Sequence, residues 1–445
     1  MKVKKYGPFT LFLCLVLIVF ILFAPYFFMK PKLDKIIDKA FKRNIEWRGI
    51  ITIWDYPRLD ITTGYKYSWL RSKIKEFERK NPGVIIQFKP LDLDYGYIEI
   101  ETAIKTNSYP DIAPVGADFE IISKGILEPL DDFLTQDEIE SYKFKAISAV
   151  KYKNKIWGLP YCMENYSLFL NLDLFNKQNV KPPKNGNWTY EEFVEILKKL
   201  TSLKSKKGRK NIYGFNSYIK PNDYTIWGII LSDGATVIER KSNKYRFYGK
   251  NAWSGLKKLV DLKLVHKVTP KDFGENNSRE AWRSFIVDKN VAVYPGRTSL
   301  INELKILNSR GKGFNFDVAN FPIGLLKKPM SVSIVNAYGI FKQNDKKKLE
   351  MCVKFIKYLT DEKGQRELYK QGVFPVKKNI GDIYINDEMM KKIEKTLSNS
   401  ISIGNHPKWR KIDDILQSQI RMALLGKKSV DEALEDARKK IEQIE

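Results

Sequence analysis

Apolar and polar positions along the chain fall into distinct regimes. From Pro8 to Met29 no charged residue occurs, and the run Phe9–Phe28 is continuously apolar. From Gly49 the pattern becomes β-rich through Ile50, Ile51, Ile53 and Trp54. Leu70, Ile74 and Phe77 then recur at helical spacing until Asn81-Pro82-Gly83 stops them. Val84 to Phe88 reads as a second strand. Strand, helix and strand in so short a stretch predict a βαβ unit, a parallel sheet and an α/β class. Thr189-Tyr190-Glu191-Glu192 is a capping-box signature ahead of Phe193, Ile196, Leu197 and Leu200. Residues 346–359 repeat the helical period through Leu349, Val353, Ile356 and Leu359, and Ser429 to Glu432 caps a last helix facing inward through Leu434, Ala437, Ile441 and Ile444. The stretch 198–210 holds seven basic residues and no acid, which reads as a solvated helix end and loop. No fixed-period repeat is present, which disfavours a solenoid.

The first apolar run is about the length that spans a bilayer as a helix. A cleaved signal peptide has a shorter core and a small-residue cleavage site. The expectation is therefore a transmembrane anchor over residues 1–29, followed by a basic stalk over 30–48. Cys14 lies inside the run, after Leu11-Phe12-Leu13, and reads as a side chain among lipid tails rather than a lipidated cysteine. Lysines flank both ends of the run, so charge alone does not orient it.

Composition narrows the chemistry. The 445 residues carry 78 Lys+Arg against 52 Asp+Glu, a formal charge of +26. Residues 1–48 hold ten basic and three acidic residues, leaving +19 on the remainder. The basic residues are scattered rather than gathered on one reading helix, which argues against nucleic acid. Three cysteines without a CxxC pair and only two histidines, His266 and His406, leave no metal or redox motif, so no cofactor and no metal are expected. No GxSxG, HExxH or P-loop pattern occurs, and an enzyme is not expected; a glycosidase using paired carboxylates such as Asp118 and Glu164 is the remote alternative.

Several segments resemble, in order, the family 1 extracellular solute-binding proteins, the carbohydrate receptors of ABC importers that include the maltose-binding protein. Asn81-Pro82-Gly83-Val84 follows a first helix, and Tyr109-Pro110-Asp111-Ile112 precedes Gly125-Ile126-Leu127-Glu128-Pro129-Leu130-Asp131-Asp132. Trp157-Gly158-Leu159-Pro160 leads to Leu170-Asn171-Leu172-Asp173-Leu174-Phe175, and Pro182-Pro183 leads to Asn187-Trp188-Thr189-Tyr190. Phe285 with Val291-Ala292-Val293, Phe355 to Thr360, and the Ser429 cap complete the series. Most of these residues read as structural: Asn171 and Asp173 tie a loop to a strand, Trp188 and Phe193 pack a helix, and Asp111 caps.

The resemblance implies two α/β lobes of the type II periplasmic-binding-protein fold that close on a ligand, with residues 49–165 plus 321–370 in one and 166–320 plus 371–445 in the other. It implies a monomeric receptor, anchored on the extracytoplasmic side of the cell membrane, that passes a carbohydrate to the permease subunits of an ABC importer. A sensor or scaffold of the same fold is the alternative role. A sugar needs aromatic plates for its C–H faces and side chains that donate to and accept from its hydroxyls. The 9 Trp, 23 Tyr and 25 Phe can supply plates. By position on the family pattern, the candidates in the first lobe are Trp54, Asp55, Tyr56, Arg58 and Asp118, with Glu164 at the hinge. Those in the second are Tyr224, Trp227, Arg297 and Trp409. Near Val115 the family's stacking tryptophan is missing, a departure that bears on maltose itself. Arg58 and Arg297 would suit a ligand bearing a carboxylate or phosphate.

Overall fold

The structure, a computed structural model, describes residues 45–202, 211–239 and 242–444, with a few isolated positions before residue 21. Most of the expected anchor over 1–29, the stalk up to residue 44 and the lysine-rich 203–210 lie outside these residues. Among the described residues no helix is long and apolar enough to cross a membrane. The last part of the expected stalk belongs to the globular body: Trp47 packs against the first core cluster and its indole N–H donates to Asp345 at 3.1 Å.

Strand β1 (Gly49–Asp55), helix α1 (Ser68–Lys80) and strand β2 (Val84–Pro90) form the expected βαβ unit, with β1 and β2 parallel from Gly49↔Val84 to Asp55↔Pro90. Leu70, Ile74 and Phe77 are the buried side of α1, as their spacing requires. Helix α2 (Gly96–Lys105), strand β3 (Ile112–Ala113) and the short helix α3 (Phe119–Ser123) follow. Strand β4 (Leu159–Asn171) is buried along its whole length. After it come helix α4 (Tyr190–Leu200), strand β5 (Tyr213–Phe215), helix α5 (Gly249–Leu264), strand β6 (Val291–Arg297), strand β7 (Phe316–Ala319) and strand β8 (Ser333–Ile340). Helices α6 (Lys346–Leu359), α7 (Trp409–Leu424) and α8 (Val430–Glu442) complete the elements that matter for the site. Both expected capping boxes form, at Thr189 with Glu192 and at Ser429 with Glu432.

The strands run in the order β2-β1-β3-β8-β4-β6-β5, with β7 also on β4. The sheet is mixed rather than parallel. The pairs β1–β2, β1–β3 and β6–β5 are parallel, whereas β8 runs antiparallel to β3 and β4, and β4 runs antiparallel to β6 and β7. The antiparallel pairs arise because β4 and β8 carry the chain between two halves in opposite directions. One half is built on β1–β3, the other on β5–β7, so the fold is α/β with two lobes.

Packing locates the crossings. Phe321 is buried in the second lobe's core, and an added Cβ on Gly228 would lie 2.2 Å from its ring. Residues 321–332 therefore stay with the second lobe, and the return crossing begins at β8. Further on, Lys143 N–H donates to the Val376 carbonyl and Lys378 N–H to that of Ser141, which holds 376–378 on the first lobe. The structural readings hold for Asn171, whose side chain caps a helix by accepting from Leu174 N–H, and for Trp188 packed edge-on to Phe193. Asp111 does not cap: its carboxylate ties β1 to α6, accepting from Thr52 N–H at 2.7 Å and pairing with Lys348 at 2.7 Å.

Candidate functional site: the cleft between the lobes

Strand β1 delivers Asp55 to the edge of the cleft. Alternation along the strand buries Ile51, Ile53 and Asp55. The Asp55 carboxylate accepts from the Tyr56 N–H at 2.8 Å, the Tyr338 hydroxyl at 2.7 Å and Arg58 at 3.4 Å. Burial raises its pKa, and Arg58 and the Tyr338 hydroxyl oppose that rise. Trp54, one residue earlier, carries Lys89 over its ring at 4.0 Å, and Lys89 pairs with Glu99. One face of that indole is thus covered.

Arg58 lies with its guanidinium carbon 5.0 Å from the centroid of Tyr161, which stacks on Tyr338 at 4.5 Å and 17°. The Arg58 Nε and the Tyr161 hydroxyl are buried and make no hydrogen bond among the described residues. Buried polar atoms without partners are uncommon. Tyr56 packs its ring against Gly96, where a Cβ would lie 2.7 Å away. Burial pushes the Tyr56 phenol upward, and the charges acting on it are Arg410, Asp118, Asp55 and Arg297. Two of these come from each lobe.

Asp118 is the N-cap of α3: one oxygen accepts from Glu120 N–H and Ile121 N–H at 3.1 and 3.2 Å. Its other oxygen accepts from Arg410, on α7 of the second lobe, at 2.6 Å. Burial pushes Asp118 up to about 6, and the two backbone bonds pull it back. Glu164 lies on β4 at the crossing, buried, accepting from Ser299 Oγ at 2.7 Å and Asn336 Nδ2 at 3.2 Å.

The second lobe's wall is a linked set of phenols and charges. Tyr166 donates to Asp223 at 3.2 Å and accepts from Arg297 Nε at 2.9 Å and Tyr224 N–H at 3.2 Å. Asp223 also accepts from the Tyr218 hydroxyl at 2.8 Å and lies 3.6 Å from Arg297. Tyr224 receives the Trp409 indole N–H on its hydroxyl at 3.0 Å. The loop bearing Asp223 and Tyr224 is anchored from behind by Asp413 of α7, which accepts from Asn222 N–H at 2.5 Å. Burial pushes Asp413 up to about 7.

Of the sequence candidates, Asp55 pairs with Arg58, Asp118 reaches Arg410 of the other lobe, and Arg297 joins Tyr166 and Asp223. Glu164 holds Ser299 and Asn336, while Tyr56 packs on Gly96 and the buried Tyr224 and Trp409 bond each other. Trp227 joins none of these: the side chain is fully buried in the second lobe's core, edge-on to Phe247. The helical turn beginning at Trp227 turns that ring inward, and aromatic content alone could not tell the two orientations apart. Tyr161, Tyr166, Asp223 and Arg410 are cleft residues that pattern reading passed over. Their signals were faint: two tyrosines in a strand otherwise apolar apart from Glu164, Asn165, Ser167 and Asn171, and an arginine directly after Trp409.

Two ionic clasps join the lobes. Arg410 reaches Glu101 and Asp118, with Glu120 at 3.9 Å. Asp94 of the first lobe takes Lys220 at 2.7 Å and Arg279 at 3.2 Å from the second. Both sets of pairs bridge the two lobes. Among the described residues no cluster of His, Cys, Asp and Glu is arranged to hold a metal ion, and Cys162 and Cys352 are buried free thiols.

Residues 73–395 match the family model described as bacterial extracellular solute-binding protein. A protein of Brucella abortus named as a binding protein is 23% identical over 380 residues, covering 83% of this chain and 88% of its own. The maltotriose-binding protein of Pyrococcus abyssi is 26% identical over 214 residues, 44% of this chain and 43% of its own. Among solved structures, a solute-binding protein of Thermotoga lettingae bound with α-D-tagatose superposes with a TM-score of 0.75 at 22% identity, covering 89% of this chain and 99% of its own. The substrate-binding protein of Listeria monocytogenes in complex with cycloalternan gives 0.74 at 19% identity with the same coverage. These likenesses establish the two-lobed fold.

Proposed function

Because the chain belongs to the bacterial extracellular solute-binding protein family, we propose that it captures a carbohydrate, an oligosaccharide in particular, between its lobes and hands it to the permease of an ABC importer. The observation that carries this reading is the Arg410–Asp118 bond at 2.6 Å, which joins the two lobes, with the Asp55–Arg58 pair on one of them and the Arg297–Tyr166–Asp223 set on the other. Aromatic rings interleaved with paired charges suit a polyhydroxylated ligand, which needs both apolar faces and partners that donate and accept. Maltotriose and cycloalternan, named for two of the similar proteins, belong to that chemical class.

Binding rather than catalysis fits the carboxylates. Asp55 is held by Tyr338 and Arg58, Asp118 by Arg410, and Glu164 by Ser299 and Asn336. The family model matched here is one of solute-binding proteins, and the similar proteins are named as binding proteins. Tethering follows from the sequence: the run Phe9–Phe28 serves as the membrane anchor, with the body on the extracytoplasmic side and the lysines after the run beside lipid head groups.

A thermal-shift and calorimetry screen of neutral and acidic oligosaccharides, maltotriose included, tests the assignment. A ligand that binds only the folded, closed state raises the melting temperature with its concentration. Absence of a shift with every sugar, together with a shift from a peptide or an amino acid, would replace the carbohydrate reading.

A further inference from the structure

The start of α5 and the last helix α8 enclose a second, open cavity of about 640 Å³ on the second lobe. Tyr248, Lys250 and Trp253 line it from one side, and Asp431, Glu435 and Arg438 from the other. No cleft residue takes part. The volume falls within the range of sites that hold small molecules.

Its walls are prepared in a way that packing alone does not require. The Trp253 indole N–H donates to Asp431 at 2.9 Å, which fixes the ring, yet Trp253 remains 37% exposed. Tyr248 is fixed as well: Arg246 donates to its hydroxyl at 3.1 Å, and the Arg438 guanidinium carbon lies 4.9 Å from its ring centroid. Arg438 is itself held by Glu442 at 2.9 Å. Gly249, between these aromatics, has φ +79° and open space where a Cβ would stand, so the mouth is kept clear of a side chain. The charges cancel, with Lys250 and Arg438 against Asp431 and Glu435. An anion or a cation would meet as much repulsion as attraction there. A neutral ligand with apolar faces and a hydroxyl rim would meet ring faces, donors and acceptors together.

We propose that this cavity is a second binding site for a neutral saccharide, separate from the cleft. Trp253 supplies the stacking plate, Tyr248 the facing wall, and Glu435, Lys250 and Arg438 the hydroxyl partners.

The test is ¹⁹F NMR on the full chain labelled with 5-fluorotryptophan, the Trp253 signal being assigned by its loss in Trp253→Phe. Maltotriose, cellotriose and chitotriose are titrated into the wild type and into a cleft variant, Arg58→Ala with Glu164→Ala. The expected result is a saturable shift of the Trp253 signal with at least one trisaccharide in both proteins, abolished by Tyr248→Ala. A Trp253 signal unmoved by all three, or one that moves in the wild type but not in the cleft variant, overturns the proposal. A shift at Trp253 with none at the cleft would leave the second site standing and count against the function proposed above. Sulfate and glucosamine serve as charged controls, and a shift with either of them alone would contradict the neutral assignment.

Discussion

The guanidinium of Arg410 bonds the Asp118 carboxylate at 2.6 Å across the gap between the lobes. Asp118 is thereby shared between α3, which it caps, and the opposite wall of the cleft. The same carboxylate thus ends a helix of one lobe and bonds a helix of the other.

Replacing Arg410 with Gln keeps a polar side chain but shortens it and removes the charge that faces Glu101, Asp118 and Glu120. The closed state should lose roughly 1–3 kcal/mol, between the values for exposed and for fully buried pairs. Small-angle scattering should show a larger radius of gyration for the unliganded variant, and ligand affinity should fall by about tenfold or more. High salt should expand the wild type in the same direction, because the clasps are partly exposed and screened. A variant as compact as the wild type would show that the clasp does not hold the lobes.

Asp413 gives a pH signature. Its folded pKa lies near 7, above the ordinary 3.8, because burial disfavours the charged form. The unfolded chain releases this proton at lower pH than the folded protein. The stability tied to it is therefore complete below about pH 4 and declines as pH rises toward 7, by ~4 kcal/mol over that window. Asp413→Asn cannot ionise, so its melting temperature relative to wild type should rise between pH 5 and pH 8. Equal differences at both ends would refute the assignment.

Two tryptophans should separate by what their loss does. Trp227→Ala removes a fully buried ring and should cost about 3–5 kcal/mol in chemical denaturation. Trp409→Phe keeps most of the volume and loses the N–H bond to Tyr224, costing about 1–2 kcal/mol. If Trp409→Phe instead leaves stability unchanged and weakens sugar binding, Trp409 is a stacking plate and not a support for Tyr224.

Gly158 sits where two backbones nearly touch. A Cβ there would lie 2.5 Å from the Gly116 Cα and 2.7 Å from the Tyr338 carbonyl oxygen. Gly158→Ala should destabilise by roughly 1–3 kcal/mol through overpacking. By displacing Tyr338 it should also disturb the bond to Asp55, lowering affinity in the same variant. Unchanged denaturation midpoints would mean that the loop yields freely.

What the sequence disclosed follows from the range of each signal. Helix α1, the two capping boxes and the β1–α1–β2 unit were legible because their determinants lie within a few residues of one another. The Gly in Trp157-Gly158-Leu159-Pro160 could be seen, but not that Gly116 and Tyr338 exclude a side chain from it. The antiparallel pairs of β4 and β8 join residues more than 100 positions apart, as Asn336 opposite Cys162 and Ile340 opposite Ile112 illustrate, and no local pattern records that. Asp55, Arg58 and Glu164 were identified by resemblance to other proteins. Arg410 was not, since its importance comes from three carboxylates on another lobe.

The position of β8 in the sheet also governs the order of assembly. It fills the place between β3 and β4, yet it is made only after residues 333–340 leave the ribosome. Until then β3 has no neighbour on that side, and β4 lacks one of its partners. Neither lobe can finish before the other has been synthesised. The two halves make up a single folding unit of high contact order, slow to form and dependent on protection of bare strand edges while it waits. A fragment ending before residue 333 should accordingly aggregate rather than yield an isolated first lobe.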